Sequence, residues 1–154
     1  MVPLIELAQG LPWLYLSLIF LFSLMVGSFL NVVIHRLPIM MERAWHAEYS
    51  DYFGDGEATP PATGRYNLMV PRSRCPHCDH PIGALENIPL LSWLWLRGRC
   101  RNCHAPISAR YPLVELLTAL LSVSVAAALA PGWGTLAALL LTWTLVALTF
   151  IDLD

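Results

Sequence analysis

The sequence predicts a mainly α-helical integral membrane protein, with three transmembrane helices and a small β, zinc-knuckle domain inserted between the first and the second. Three observations lead there. Of 154 residues, 56% are hydrophobic and 13% are charged, too apolar and too weakly charged for an ordinary soluble domain. The apolar residues gather into two runs free of Asp, Glu, Lys and Arg, one between Glu6 and Arg36 and one between Glu115 and Asp152. Runs of that length are transmembrane candidates. The only four cysteines fall as two Cys-x-x-Cys pairs between those runs. The expected division is residues 1–38 for the first membrane helix, 39–110 for the cysteine domain and 111–154 for a second membrane unit.

Residues 1–11 read as a short extracytoplasmic lead-in. The first twelve residues contain no Lys or Arg, and the apolar run that follows is too long for a cleaved signal peptide. The first helix is expected from Leu11 to Ile34, with Trp13 and Tyr15 as aromatic anchors at the outer interface. Ser23 and Gly27 form a small-xxx-small face that admits a neighbouring helix. Ser28, Asn31 and His35 share a face. An Asn inside a bilayer is costly unless hydrogen-bonded, so this face should point into a bundle, either for packing or toward a substrate. Pro38 is expected to end the helix.

All nine basic residues are arginines lying between Arg36 and Arg110, which places this interval in the cytoplasm by the positive-inside rule. It also holds seven carboxylates, so its charge is nearly balanced and nucleic acid is not an expected partner. Met40 to Trp45 reads as a short amphipathic helix on the membrane surface. Asp51 to Gly64, acidic and rich in Gly and Pro, reads as a linker, and Tyr66 to Pro71 as a strand leading into the first cysteine pair. Leu90 to Leu96 reads as a strand or a re-entrant segment dipping into lipid. Gly98 supplies a tight turn before the second pair.

The cysteine pairs share a frame. Arg74-Cys75-Pro76-His77-Cys78-Asp79-His80-Pro81-Ile82 and Arg99-Cys100-Arg101-Asn102-Cys103-His104-Ala105-Pro106-Ile107 both read Arg-Cys-x-x-Cys-x-x-Pro-Ile, with 21 residues between Cys78 and Cys100. Two such turns can present Cys75, Cys78, Cys100 and Cys103 to one tetrahedral Zn²⁺, and four thiolates make a closed, structural site. A reducing cytoplasm favours metal over disulfide, although free or disulfide-bonded cysteines remain the alternative. His77, His80 and His104 can each replace a thiolate, but with four cysteines at hand they read as solvated or as partners behind the ligands.

The second apolar run, Leu116 to Ile151, has 36 residues. One helix of that length would span about 54 Å against a hydrocarbon core of about 30 Å, so it must fold back. Pro131-Gly132-Trp133-Gly134 supplies the turn. The second helix is therefore expected from Pro112 to Ala130 and the third from Thr135 to Ile151, which brings Asp152, Asp154 and Glu115 to the cytoplasmic face.

Gly27-Ser28-Phe29-Leu30-Asn31-Val32-Val33-Ile34-His35-Arg36-Leu37-Pro38 resembles a signature of bacterial type IV prepilin peptidases. The paired cysteines, Glu86-Asn87-Ile88-Pro89, Arg110-Tyr111-Pro112-Leu113-Val114-Glu115 and Ile151-Asp152-Leu153-Asp154 are similar to later motifs of the same family, in the same order. The resemblance implies an integral enzyme of the bacterial inner membrane. It would cut the basic leader of type IV prepilins and type II secretion pseudopilins at the cytoplasmic face, then methylate the new N-terminal amine with S-adenosylmethionine. It implies Asp152 as the first catalytic aspartate and the four cysteines as the metal-associated set, and it places Glu86, Gly98, Arg110 and Glu115 within shared motifs. Gly98 is the candidate associated with methyl transfer, for which no Gly-rich nucleotide cradle is visible. Glu86 and Glu115 are candidates to receive Lys or Arg of the leader; the alternative is pairing with the loop's own arginines.

An aspartic peptidase needs two carboxylates sharing a proton. The family's second aspartate belongs to a Gly-x-Gly-Asp motif expected well beyond Asp154, so the sequence corresponds to about the first half of a family member. Asp154 itself stands about 200° around a helix from Asp152 and is not its partner. On its own, Asp152 reads as an interfacial boundary residue. Two other functions compete: a zinc-stabilised membrane scaffold that binds prepilin without chemistry, and a membrane thiol oxidoreductase with exchangeable Cys-x-x-Cys thiols.

Overall fold

The computed structural model describes residues 2–53 and 66–153. Its helices are α1 (Val2–Gly10), α2 (Pro12–Phe53), α3 (Leu91–Trp95), α4 (Arg110–Ala128) and α5 (Trp133–Asp152), with a 3₁₀ turn at Ala84–Asn87. Three of them, α2, α4 and α5, are long and apolar enough to cross a membrane. The lead-in contains α1, and Pro12 then opens α2 at the position where a missing N–H costs nothing.

Pro38 does not end the first long helix. It sits inside α2, which runs 42 residues to Phe53. Proline removes one backbone donor, but strong helix formers follow it, and Glu42 and His46 approach at i,i+4. Met40 to Trp45 is therefore not a separate surface helix but the continuation of α2. At about 1.5 Å per residue, the 42 residues reach roughly twice the thickness of a hydrocarbon core. Most of the expected linker, residues 54–64, lies outside the described residues, as do Arg65 and Asp154.

The α4–α5 hairpin forms as the sequence requires, each helix beginning two residues earlier than expected. The turn between them is closed by the Thr135 hydroxyl, which donates to the Ala130 carbonyl at 2.6 Å. Helices α2 and α4 run antiparallel. Asn31 meets Tyr111, Gly27 meets Glu115 and Thr118, and Phe20 lies beside Val123.

The bundle is apolar on the outside and has small, hydroxylated residues within. Ser23, Val114, Thr118 and Ser122 are fully buried, whereas Phe22, Met25, Leu141 and Leu148 are more than half exposed. In lipid, helices associate through close packing of small residues, because apolar side chains gain nothing by leaving the acyl chains. Two of the inner hydroxyls are satisfied within their own helix: Thr118 donates to the Val114 carbonyl and Ser122 to the Thr118 carbonyl, each at 2.7 Å, whereas the buried Ser23 hydroxyl has no partner among the described residues. Trp143 Nε1 donates to Ser122 Oγ at 2.9 Å, tying α5 to α4. Leu30, Ile34, Val114, Val146 and Ala147 form the apolar cluster shared by the three helices.

No strand is present among the described residues; only two isolated bridges occur, Arg74 with Pro81 and Arg99 with Pro106. The expected small β domain is thus a pair of turns. Tyr66 to Pro71 is not a strand, because the Asn67 side chain accepts from the amides of Met69 and Val70 at 2.8 and 2.7 Å. That is local turn chemistry competing with a ladder. Leu90 to Leu96 is likewise not a strand. It forms α3, with the Ser92 amide bonded to Ile88 O and the Leu94 amide to Leu90 O.

Gly27 should be the least replaceable residue of the α2–α4 contact. A Cβ there would stand 2.7 Å from Glu115 Cα. Gly27→Ala is expected to destabilise the detergent-solubilised protein by about 1–3 kcal/mol through overpacking, read as a lowered thermal midpoint. Gly134→Ala, whose methyl would meet nothing within 4 Å, should leave the midpoint unchanged or raised.

Candidate metal centre and the carboxylates at the same end of the bundle

The repeated sequence frame is a repeated backbone. In the first turn the Cys75 amide donates to His80 O at 3.0 Å, the Asp79 amide to Cys75 O at 2.9 Å and the Ile82 amide to Ser73 O at 2.9 Å. In the second, the matching bonds run from Cys100 to Ala105 at 2.8 Å, His104 to Cys100 at 3.0 Å and Ile107 to Gly98 at 2.7 Å. The residue after the second cysteine is left-handed in both, Asp79 at φ 56° and His104 at φ 57°. Each turn therefore carries its two sulfurs on one side.

Facing each other, the turns bring all four Sγ atoms within 4.8 Å of one another. Cys75 and Cys103 stand at 3.7 Å, and Cys78 and Cys100 at 3.9 Å. A tetrahedron with metal–sulfur bonds of ~2.3 Å has edges of about 3.8 Å; a disulfide would need about 2.0 Å. The spacing fits one ion held by four thiolates, and all four cysteines are free of disulfides. None of His77, His80 and His104 belongs to this cluster.

The thiols are electrostatically unequal. The His80 backbone amide and then the Asn102 side chain hold Cys78 down to about 7. The backbone amides of Cys103 and Asn102 also lower Cys100. At Cys103 the Ala105 amide acts downward, but desolvation and the three neighbouring sulfurs prevail and push it up to about 12. Four anionic sulfurs this close repel one another, and a divalent cation removes that repulsion.

Polar contacts fasten this unit to the bundle. Glu115, five residues into α4 and nearly buried, accepts from the Leu90 amide at 2.8 Å and from the Ser28 hydroxyl. Arg36, also nearly buried, donates to Asn67 O at 2.9 Å and Pro71 O at 2.6 Å. The Tyr66 ring lies beneath both Arg36 and Arg43, the closer guanidinium being 4.2 Å from its centroid. Asn31 donates to Tyr111 O at 3.1 Å. His35, expected on the same face as Ser28 and Asn31, is exposed.

Glu86 is engaged locally. It accepts from the Gly83 amide at 3.0 Å and lies 3.6 Å from the Arg101 guanidinium. Gly98 has φ +65°, and a Cβ on it would stand 3.0 Å from the Trp93 ring. Trp93 in turn donates to Ile107 O at 3.3 Å, so Gly98 is explained by the second turn and the ring covering it. Asp152 is the exposed last residue of α5. Arg110 donates to Phe150 O at 2.6 Å and stacks on the Phe150 ring, which holds the end of α5 against the start of α4. The cysteine unit, Glu115 and Asp152 therefore share one end of the bundle.

The sequence gives Arg36 and Arg110 a part in orientation and a place in shared motifs, but not their clamping of backbone carbonyls. The available signal was an arginine at the very end of a membrane helix, where a long donor can reach the orphaned carbonyls of a neighbouring segment.

These features define a helical protein with three helices long and apolar enough to cross a membrane and a four-cysteine, metal-competent centre at one end of the bundle. The family described as Bacterial Peptidase A24 N-terminal domain matches residues 21–129, and the chain belongs to that family. A prepilin leader peptidase/N-methyltransferase of Aeromonas hydrophila is 80% identical over 98% of the chain and 52% of its own length. Proteins of the same name from Stutzerimonas stutzeri and Pseudomonas aeruginosa are 51% and 50% identical, over 97% and 99% of the chain. The chain spans about half the length of these relatives, 51% and 52% for the last two. No solved structure matches it.

Removing the Glu115 carboxylate should loosen the cysteine unit from α4. Glu115→Ala leaves the Leu90 amide without its acceptor, a loss of about 1–3 kcal/mol for a buried donor. Hydrogen–deuterium exchange should become faster in the peptide from Ile88 to Gly98 and stay unchanged in the α4–α5 hairpin.

Proposed function

We propose that this chain supplies the N-terminal half of a prepilin leader peptidase/N-methyltransferase of the bacterial inner membrane. Asp152 is one of the two aspartates that activate water for leader cleavage. The observation that carries this reading is the gathering of the cysteine unit, Glu115 and Asp152 at one end of an inside-out bundle, in a chain that matches relatives of that name over 98% of its length. The clustered arginines support a cytoplasmic position for that end, where the basic leaders of prepilins and pseudopilins would be met. The second aspartate of the dyad belongs to sequence beyond Asp154. Methyl transfer would draw on S-adenosylmethionine, and that assignment rests on the relatives' names alone.

Within the domain expected over residues 39–110, residues 66–109 are a metal-bound unit between α2 and the α4–α5 hairpin, with Zn²⁺ held by Cys75, Cys78, Cys100 and Cys103. Four thiolates select a soft, tetrahedral ion and leave no open position, so the ion's part is structural. Glu86 and Glu115 are occupied by the chain itself. We read them as holding the cysteine unit in shape and in place rather than as receptors for the leader, and we read Gly98 as a turn residue rather than a methyl-transfer residue.

Cleavage of a prepilin by purified protein, comparing this chain with one extended by its natural downstream sequence, tests the dyad. Only the extended protein should cut, and Asp152→Asn in it should abolish cutting while prepilin binding and metal content persist. Cutting by the short chain alone would refute the dyad. Prepilin binding without cutting by either protein would favour a non-catalytic scaffold.

Metal analysis should find one Zn²⁺ per chain, lost in Cys100→Ser. Protons compete with the ion for thiolates, so zinc affinity should fall as the pH is lowered. A metal-free protein whose thiols exchange freely with disulfides would instead support a thiol oxidoreductase.

A further inference from the structure

We propose that α3 is an interfacial membrane anchor. Its outer face, Leu91, Leu94 and Trp95, lies in the boundary layer of an anionic phospholipid bilayer, with Arg97 and Arg99 at the headgroups. The spacing of the three apolar residues puts them on one helical face. They are 65%, 62% and 83% exposed. The opposite face is occupied, because Trp93 turns inward onto Gly98 and the Ile107 carbonyl. Leu85, in the preceding 3₁₀ turn, is 69% exposed and adds to the apolar surface of this segment.

Depth selects lipid as the occupant. Glu115 lies five residues after Arg110, the first residue of α4, about 7.5 Å into the span at 1.5 Å per residue. The Leu90 amide bonds to its carboxylate, and helical side chains tilt toward the N-terminus, so α3 starts within that depth. Amphipathic interfacial helices bury their apolar face about 5–10 Å into the headgroup–acyl boundary, and Leu113, on the same stretch of α4, is also exposed to whatever surrounds the span.

Charge points the same way. From Asn87 to Ala109 the chain has Arg97, Arg99 and Arg101 and no carboxylate. Arg101 lies near Glu86, while Arg97 and Arg99 are exposed and make no ion pair among the described residues. A tryptophan and leucines beside free guanidinium groups match an anionic lipid interface.

The test is tryptophan quenching by brominated phospholipids, with the intact natural protein reconstituted in phosphatidylglycerol-containing vesicles. Trp95→Phe should remove a lipid-quenchable part of the emission. Trp45→Phe, on the distant extension of α2, should remove only emission that bromolipids do not reach. Unchanged zinc content would confirm that both variants are folded. If the emission lost with Trp95 is inaccessible to bromines at every depth, the face is covered by protein or water and the anchor is refuted. The double variant Arg97→Gln, Arg99→Gln should lower quenching of Trp95 in phosphatidylglycerol but not in phosphatidylcholine; equal quenching by both lipids would overturn the role given to the arginines.

Discussion

The backbone contact between α2 and α4 at Gly27 governs how the rest is arranged. Lipid supplies no hydrophobic force to press helices together, so association must come from close fit and from polar groups with nowhere else to go. The absent side chain at Gly27 lets α2 reach the backbone of Glu115. That approach brings Ser28 to the Glu115 carboxylate and Asn31 to the Tyr111 carbonyl. Glu115 can then take the Leu90 amide, and through it the cysteine unit acquires a fixed height. A polar residue that would be expensive alone in a membrane becomes the bracket on which an extramembrane unit is hung.

The cysteine unit has a different economy of order. Two short turns with one bridge each bury too little to be stable alone. Their sulfurs come from positions 25 residues apart in the frame, and an ion held by all four would close the chain between them. The segment inside that closure contains α3, Trp93 and Gly98. Nearly all the order of this unit therefore depends on the sulfur cluster and on the clamps from Arg36 and Glu115, with little from a core of its own.

Much of this was legible in the sequence, for identifiable reasons. Uncharged runs are unambiguous, and a 36-residue run interrupted by Pro-Gly must fold back. The duplicated cysteine frame announced its duplicated backbone. What misled were signals that tertiary context overrides. Pro38 stopped the helix on local rules, but good helix formers beyond it carried α2 to Phe53. The alternation of Trp and Leu around α3 imitates a strand, although only one of the two tryptophans is packed inward. The Asn67 turn looked like a strand entry because its neighbours are apolar. The arginine clamps left only a faint signal, an arginine at the end of a membrane helix, because a carbonyl acceptor leaves no mark on the sequence. Asp152 was found only through its motif; nothing in its exposed position distinguishes it from any acidic residue at a helix end.

The inverted layout of the bundle has a consequence for how such a sequence is free to drift. Acyl chains accept leucine, isoleucine, valine and phenylalanine almost alike, so outward positions such as Met25, Leu141 and Leu148 can exchange size and shape at little cost. The inner positions have little such freedom: a Cβ on Gly27 would already stand 2.7 Å from Glu115 Cα, and Ser23, Thr118 and Ser122 are fully buried. The usual rule for water-soluble proteins, in which large apolar residues are the fixed ones, is reversed. Here the smallest side chains set the spacing of the helices, while the greasy majority serves mainly as solvent-facing surface.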